Sequence, residues 1–111
     1  MLPKKHRLSR RDIAQVEKQG QRLRFPAFVC LFRGCDAFGV GISVSKKVAK
    51  DSVARNRIRR RIYKFFQGGF DLMPAHILII PMSPIATLSE EELSHALQMA
   101  VTRLTDELNR V

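Results

Sequence analysis

Three stretches of the chain place apolar residues at the three- and four-residue spacing of an amphipathic helix. The first follows Ser9, whose hydroxyl can cap a helix with Asp12 as its capping-box partner, and Gly20 can end it. Its apolar line consists of Leu8, Ile13 and Val16.

The second helix is predicted to run from Asp51 or Ser52 to Gln67, where the pair Gly68-Gly69 ends it. Asp51 is expected to cap this helix rather than to take part in chemistry. The stripe expected to face the core is Ala54, Ile58, Ile62, Phe65 and Phe66.

The third helix begins after Ser89, which forms a capping box with Glu92. Three consecutive glutamates, residues 90–92, suit the positive end of its dipole. Its apolar line is Leu93, Leu97, Ala100, Val101, Leu104 and Leu108.

Strands are predicted between these helices, at 27–32, 39–44 and 76–80, with a further short strand beginning near Leu23. A turn is expected at residues 33–36. Gly39 and Gly41 leave one strand face bare, which permits a close backbone approach or a bulge. The segment 76–80 is almost wholly apolar, so it should be central in its sheet or covered on both faces.

The predicted order of elements is α-β-β-β-α-β-α, an α+β fold in which three helices pack on a small, mostly antiparallel four-stranded sheet. The chain has 111 residues, so we expect a single domain, an RNA-binding one, over 1–111. No apolar run is long enough to span a bilayer, and no apolar segment follows the charged N-terminus, so neither a membrane span nor a signal peptide is expected.

Charge changes this picture, because the net +10 is concentrated in one segment. Residues 46–64 hold nine basic side chains and one acidic one, for a net charge of +8. A solvated surface usually mixes both signs. The segment therefore predicts a surface that binds a polyanion.

On the second helix, Asn56, Arg60 and Lys64 fall opposite the apolar stripe, and Arg57 with Arg61 borders one side. Arg55 and Arg59 border the other side. Like charges four residues apart cost a few tenths of a kcal/mol each, and five of the six cations are arginine, which binds phosphate in a bidentate manner. The alternatives are a merely solvated face and a membrane-surface helix; the narrow apolar stripe, needed for the core, and the absence of Trp argue against the latter.

The segment before this helix, Ser43-Val44-Ser45-Lys46-Lys47, supplies hydroxyls, amides and ammonium groups that can all donate to a phosphate. The acidic residues do not pair obviously across the basic face, and the three histidines are scattered. We therefore expect no catalytic and no metal-binding residues. Cys30 and Cys35 lack zinc-site spacing and are expected to be free thiols in a reducing cytoplasm.

Two segments together resemble the bacterial ribonuclease P protein component: residues 40–47, Val-Gly-Ile-Ser-Val-Ser-Lys-Lys, and residues 54–60, Ala-Arg-Asn-Arg-Ile-Arg-Arg. The Arg-Asn-Arg run at 55–57, behind a Ser-Lys-Lys loop, is that family's signature. The resemblance extends over most of the chain, including Leu88-Ser89-Glu90-Glu91-Glu92-Leu93 at the start of the last helix.

The resemblance implies a left-handed crossover around the second helix and an accessory role. An RNA subunit, which requires divalent metal (Mg), would cleave the 5′ leader from precursor tRNA, and the protein would bind no cofactor itself. The protein would contact the RNA subunit through the Arg-Asn-Arg face and the leader through a cleft between sheet and helices. The residues expected to bind RNA are Lys46, Lys47, Lys50, Arg55, Asn56, Arg57, Arg59, Arg60, Arg61 and Lys64.

The chain departs from the family pattern in the cleft. Aromatic residues common on the family's first helix are replaced by Ile13 and Glu17, and a sheet aromatic by Leu31. Phe28 and Phe32 are expected to face the core rather than the cleft. A non-enzymatic RNA-binding module, such as a small ribosomal protein, remains the rival interpretation of the composition.

Overall fold

The computed structural model describes residues 4–70 and 73–110. Two short 3₁₀ turns, Lys4–His6 and Ser83–Thr87, accompany the regular elements. The helices and strands are α1 (Arg10–Gln19), β1 (Gln21–Arg24), β2 (Phe28–Gly34), β3 (Gly39–Ile42), α2 (Ser52–Phe66), β4 (Ala75–Pro81) and α3 (Glu90–Leu108).

The four strands form one sheet in the order β1-β2-β4-β3. β2 is antiparallel to both of its neighbours, whereas β3 runs parallel to β4. The expected α+β architecture is confirmed, and the sheet is mixed, with two antiparallel pairings out of three. Since β3 and β4 are adjacent and parallel, α2 is the helix of a crossover connection; the left hand of that crossover stays a prediction.

Strand boundaries differ from the predicted ones by one or two residues, and the C-terminal ends of β2 and β3 each differ by two. β2 extends to Gly34 because β4 is long enough to pair with it, at Ala75. The turn expected at 33–36 therefore lies further on, between β2 and β3. β3 ends at Ile42 rather than at Val44, although the Ser43 amide still donates to the Ile79 carbonyl at 3.0 Å.

The predicted helix ends are confirmed. The Ser9 hydroxyl accepts the Asp12 amide, and the Gly20 amide donates to the Val16 carbonyl. The predicted capping box at α1 is incomplete, because the Asp12 carboxylate accepts the Ser9 hydroxyl at 3.0 Å rather than the Ser9 amide. α3 has the complete capping box, in which the Ser89 and Glu92 side chains each accept the other residue's amide; these bonds hold the pKa of Glu92 below its usual range.

The core lies on both faces of the sheet. On one face, Phe28 and Phe32 are fully buried in a cluster that includes Ile77, with α2 and α3 covering it. On the other face, Leu31 and Leu78 pack with Val16 of α1. β4 is therefore central and covered on both sides, as its apolar sequence predicted, and Phe28 and Phe32 face the core. Within the described residues, no helix is long and apolar enough to cross a membrane.

Candidate nucleic-acid interface

α2 presents its charged face outward because a cap fixes where the helix begins and an apolar stripe packs its opposite side into the core. The Asp51 carboxylate accepts the Ala54 amide at 2.7 Å, which confirms Asp51 as the cap and starts the helix at Ser52. Ile58, Ile62 and Phe66 are buried along the opposite side. On the side away from these anchors, Asn56, Arg60 and Lys64 are exposed to solvent.

Seven of the ten predicted RNA-binding side chains are exposed. They lie on the loop before α2 and on its outer face, and none forms a hydrogen bond or ion pair with another residue in the described ranges. These side chains, which we call the outer face, are Lys46, Lys47, Lys50, Asn56, Arg57, Arg60 and Lys64.

Arg55 has a different setting, since its guanidinium turns back onto the loop. One of its nitrogens, Nη1, donates to the carbonyls of Ala49 at 3.1 Å and Lys50 at 2.8 Å. The side chain is half-buried. Arg55 therefore holds the loop that carries Lys46 and Lys47 against the start of α2.

Arg61 is likewise engaged within the protein. Its Nε donates to Glu90 of α3 at 2.9 Å, and its Nη2 donates to the Leu88 carbonyl at 2.6 Å. This Glu partner does not come from α2 itself but from a helix 29 positions along the chain, so the spacing within α2 could not predict it. Arg61 thus fixes α2 to the start of α3, with its guanidinium plane held by two bonds.

Arg59 borders the other side of α2, half-buried near Tyr63. Burial raises the pKa of the Tyr63 hydroxyl, while the charges of Arg7 and Arg59 act to lower it. Arg7 also pairs its backbone with Val40 beside β3. Sequence reasoning missed Arg7 because it lies far along the chain from the basic segment.

A second basic surface lies on β1, and sequence reasoning missed it too. Arg22 and Arg24 are exposed and pair with Leu31 and Val29 of β2, so they share the sheet face that α1 covers. The alternation of arginine around Leu23 was the available signal, since residues two apart on a strand share a face.

The residues that the sequence associated with a cleft, Ile13, Glu17 and Leu31, lie on this same face of the sheet or on α1, which covers it. Leu31 is 5% exposed, so it offers no platform to a base. Glu17 is exposed on α1, and Ile13 lies against Gly41. Among the apolar strand residues on this face of the sheet, Val29 and Ile80 are half-buried.

A close approach at Gly39 and Gly41 was one of the two expected outcomes, and it is the one observed. A Cβ at Gly41 would lie 3.1 Å from Cγ1 of Ile13. A Cβ at Gly39 would run into Leu8 and would lie 3.1 Å from Cδ2 of His76. The two glycines therefore let α1 and the segment before it sit directly on the sheet.

Within residues 4–70 and 73–110, no three His, Cys, Asp or Glu side chains come together as a metal ion would require. Cys30 is buried and Cys35 half-buried, and both are free thiols. The Nδ1 atom of His76 is buried and has no hydrogen-bond partner in the part of the chain that the structure describes.

A family model described as Ribonuclease P matches residues 2–105. The chain belongs to the ribonuclease P protein family.

Curated relatives and solved structures are consistent with this membership. The chain is 33% identical to the ribonuclease P protein component of Halalkalibacterium halodurans over 102 residues, covering 86% of this chain and 85% of the relative. It is 44% identical to the component from a Picosynechococcus strain over 64 residues, 55% of each protein. Its fold matches the RNase P protein from Thermotoga maritima with a TM-score of 0.77 at 26% identity, covering 87% of this chain and 96% of that one.

Proposed function

We propose that this chain is the accessory subunit of ribonuclease P, acting in the cytoplasm. It binds the catalytic RNA subunit and the 5′ leader of precursor tRNA. The RNA subunit, with divalent Mg, cleaves the leader. Ribonuclease P membership favours this role over the rival one, a small ribosomal protein.

The observation that carries the proposal is the outer face, in which six cations and Asn56 are exposed and unpaired within the described residues. Guanidinium and ammonium groups in this arrangement neutralise phosphates and release counterions. We assign direct contacts to the outer face, with Arg57 and Arg60 at its centre. Arg55 and Arg61 support it by holding the loop and α3, and Arg59 extends it towards Tyr63.

The leader is proposed to bind on the sheet face beside α1. Arg22 and Arg24 supply charge there, and Val29 with Ile80 supplies a small apolar strip. Within strands β1–β4, Phe, Tyr and Trp do not occur on this face, so base stacking, worth about 1–3 kcal/mol per base, is scarce. The leader is then held mainly through its phosphates.

Reconstitution tests the proposal. Precursor tRNA is incubated with a bacterial ribonuclease P RNA at low Mg concentration, with and without the protein, and 5′ cleavage is measured. The protein should raise cleavage by the RNA, and a double Arg57→Ala, Arg60→Ala variant should raise it less. Cleavage by the protein without RNA, or no effect of the protein on the RNA, would contradict the assignment.

A further inference from the structure

A pocket beside the outer face has a composition that phosphate binding does not require. It lies between the loop before α2, the first turns of α2 and the 3₁₀ turn at Ser83–Thr87, and its volume is about 310 Å³. Its apolar lining consists of Val48, Ala49, Ala54, Ile58 and Ala86. We call it the α2 pocket. Small-molecule sites span roughly 300–1,000 Å³, so this one suits a single ring system.

Two arginines complete the α2 pocket and make it unlike an ordinary apolar depression. Arg57 is exposed and unpaired among the described residues, and Arg61 is four positions further along the helix. No carboxylate is among the described residues that line it. The surroundings are the segment with a net charge of +8, so an anionic or electron-rich occupant is favoured over an uncharged acyl chain or an apolar peptide.

The setting of Arg61 indicates what its side chain does there. Glu90 offsets its charge, and Leu88 and Glu90 together use the Nε and Nη2 edge of the guanidinium. The Arg61 side chain lines the α2 pocket and is 21% exposed, and these two bonds fix the orientation of its guanidinium plane. A planar guanidinium stacks on nucleobases, and a fixed plane loses little freedom when it does so.

We propose that the α2 pocket receives one unstacked nucleobase of the bound RNA, which rests on the apolar floor and stacks against Arg61 while Arg57 binds a phosphate of the same nucleotide. The inference deepens the proposed function, on which it rests, by naming a base-binding subsite within the RNA interface. The Ala49 and Leu88 carbonyls beside it already accept bonds from Arg55 and Arg61. Ring area rather than base edges should therefore set preference, with purines bound more tightly than pyrimidines.

The test uses three small probes and the isolated full chain, so it is independent of ribonuclease P activity. AMP carries a base and a phosphate, ribose 5-phosphate carries the phosphate alone, and CMP carries the smaller ring. Methyl resonances of Val48, Ala54, Ile58 and Ala86 are followed in NMR titrations. AMP should shift them and bind at least about fivefold more tightly than ribose 5-phosphate, because stacking one base adds that much or more; CMP should fall between the two.

Two variants separate the pocket from the charge around it. Ala86→Leu should fill the pocket and remove the advantage of AMP over ribose 5-phosphate. Ala37→Leu, at another exposed position before the start of β3, should not. Arg61→Lys keeps a cation for Glu90 but removes the flat face, and it should also reduce the advantage. Chemical shifts of residues outside the pocket confirm that each variant is folded.

Equal affinities for AMP and ribose 5-phosphate, or AMP binding that leaves the methyl resonances of these four residues unmoved, would overturn the inference. So would an unchanged AMP advantage in folded Ala86→Leu. None of these results would contradict the proposed function that reconstitution tests, because the outer face can still bind RNA through phosphates. Failure of reconstitution together with a base-dependent pocket would instead refute the proposed function alone.

Discussion

Arg61 and Glu90 join α2 to α3 through an ion pair of 2.9 Å, although the arginine is largely covered and the glutamate is 65% exposed. An exposed partner limits the strength of such a pair to about 0.2–1 kcal/mol. The pair matters more for where it holds the guanidinium than for the stability it adds.

Glu90→Gln should therefore lower the free energy of unfolding only slightly, by up to about 1 kcal/mol, as measured by urea denaturation at low salt. Glu91→Gln is the matched control, because it removes the same charge from the same helix turn, where no ion pair to Glu91 is present among the described residues. Equal effects of the two substitutions would show that the helix dipole, not Arg61, accounts for the loss.

Arg57→Ala should weaken binding to the ribonuclease P RNA by about 1–3 kcal/mol without loss of stability. Arg57 is exposed and unpaired within the described chain, so its removal leaves the core intact. The slope of log affinity against log salt should fall by about 1. Arg110→Ala, at the far end of α3, is the control; affinity that is the same for both variants at moderate salt would remove Arg57 from the interface.

Ile58→Ala should act in the opposite way and destabilise the fold by about 2–5 kcal/mol, because Ile58 is 7% exposed and its loss leaves a cavity. Val53→Ala, at a position that is 67% exposed on the same helix, should change stability by no more than about 0.5 kcal/mol. Denaturant unfolding of both variants checks the pair. Similar losses would mean that α2 is not anchored by its apolar stripe.

Affinity for the leader should be strongly dependent on salt and weakly dependent on base identity. It should fall by about 0.7 log units per log of salt for each phosphate neutralised. The measurement is affinity of the assembled ribonucleoprotein for substrates with different leaders across a salt series, after subtraction of a leaderless substrate. If the leader's contribution to affinity does not change with salt but varies with base identity, stacking and base-edge contacts dominate.

Thiol reactivity should differ sharply between the two cysteines. Burial raises the pKa of the Cys30 thiol from its ordinary value of 9.0 to about 12. Iodoacetamide at pH 8 should label Cys35 in the native protein and Cys30 only after unfolding; a Cys35→Ser variant should stay unlabelled until then. Rapid native labelling of that variant would show that Cys30 is reached by solvent.

The same shift makes stability depend on pH in a defined direction. Between pH 9.0 and about 12 the unfolded thiol loses its proton while the folded one keeps it. The unfolded state then binds fewer protons, so the contribution of Cys30 to stability falls as the pH rises through this window. Unfolding measured at pH 8.5 and 10.5 should show a larger loss for the native chain than for a Cys30→Ala variant.

Local signals in the sequence predicted the elements well, because they depend on neighbours in the chain. The Asp51 cap, the Ser89–Glu92 box and the buried stripe of α2 all follow from residues three or four positions apart. The apolar run in β4 likewise predicted its central place.

Relationships between distant residues were beyond the reach of these patterns. The parallel pairing of β3 with β4 and the bond from Arg61 to Glu90 depend on how α2 returns over the sheet. For the same reason, the sequence predicted a basic surface from residues 46–64 alone. Arg7 comes near Arg59 and Tyr63 only through tertiary contacts, whereas the alternation of Arg22 and Arg24 around Leu23 was a local signal that the prediction did not use.

Gly39 and Gly41 act as spacers for the proposed leader cleft, although neither offers a side chain to the RNA. A methyl group on Gly41 would have to push Ile13, and with it α1, away from the sheet by a few tenths of an ångström. The distance at which α1 and the segment before it lie from the sheet is thus set by the absence of side chains at these two glycines. Substitution of Gly39 or Gly41 would change the width of the proposed cleft that is available to an RNA strand. It would leave in place every charge that attracts RNA.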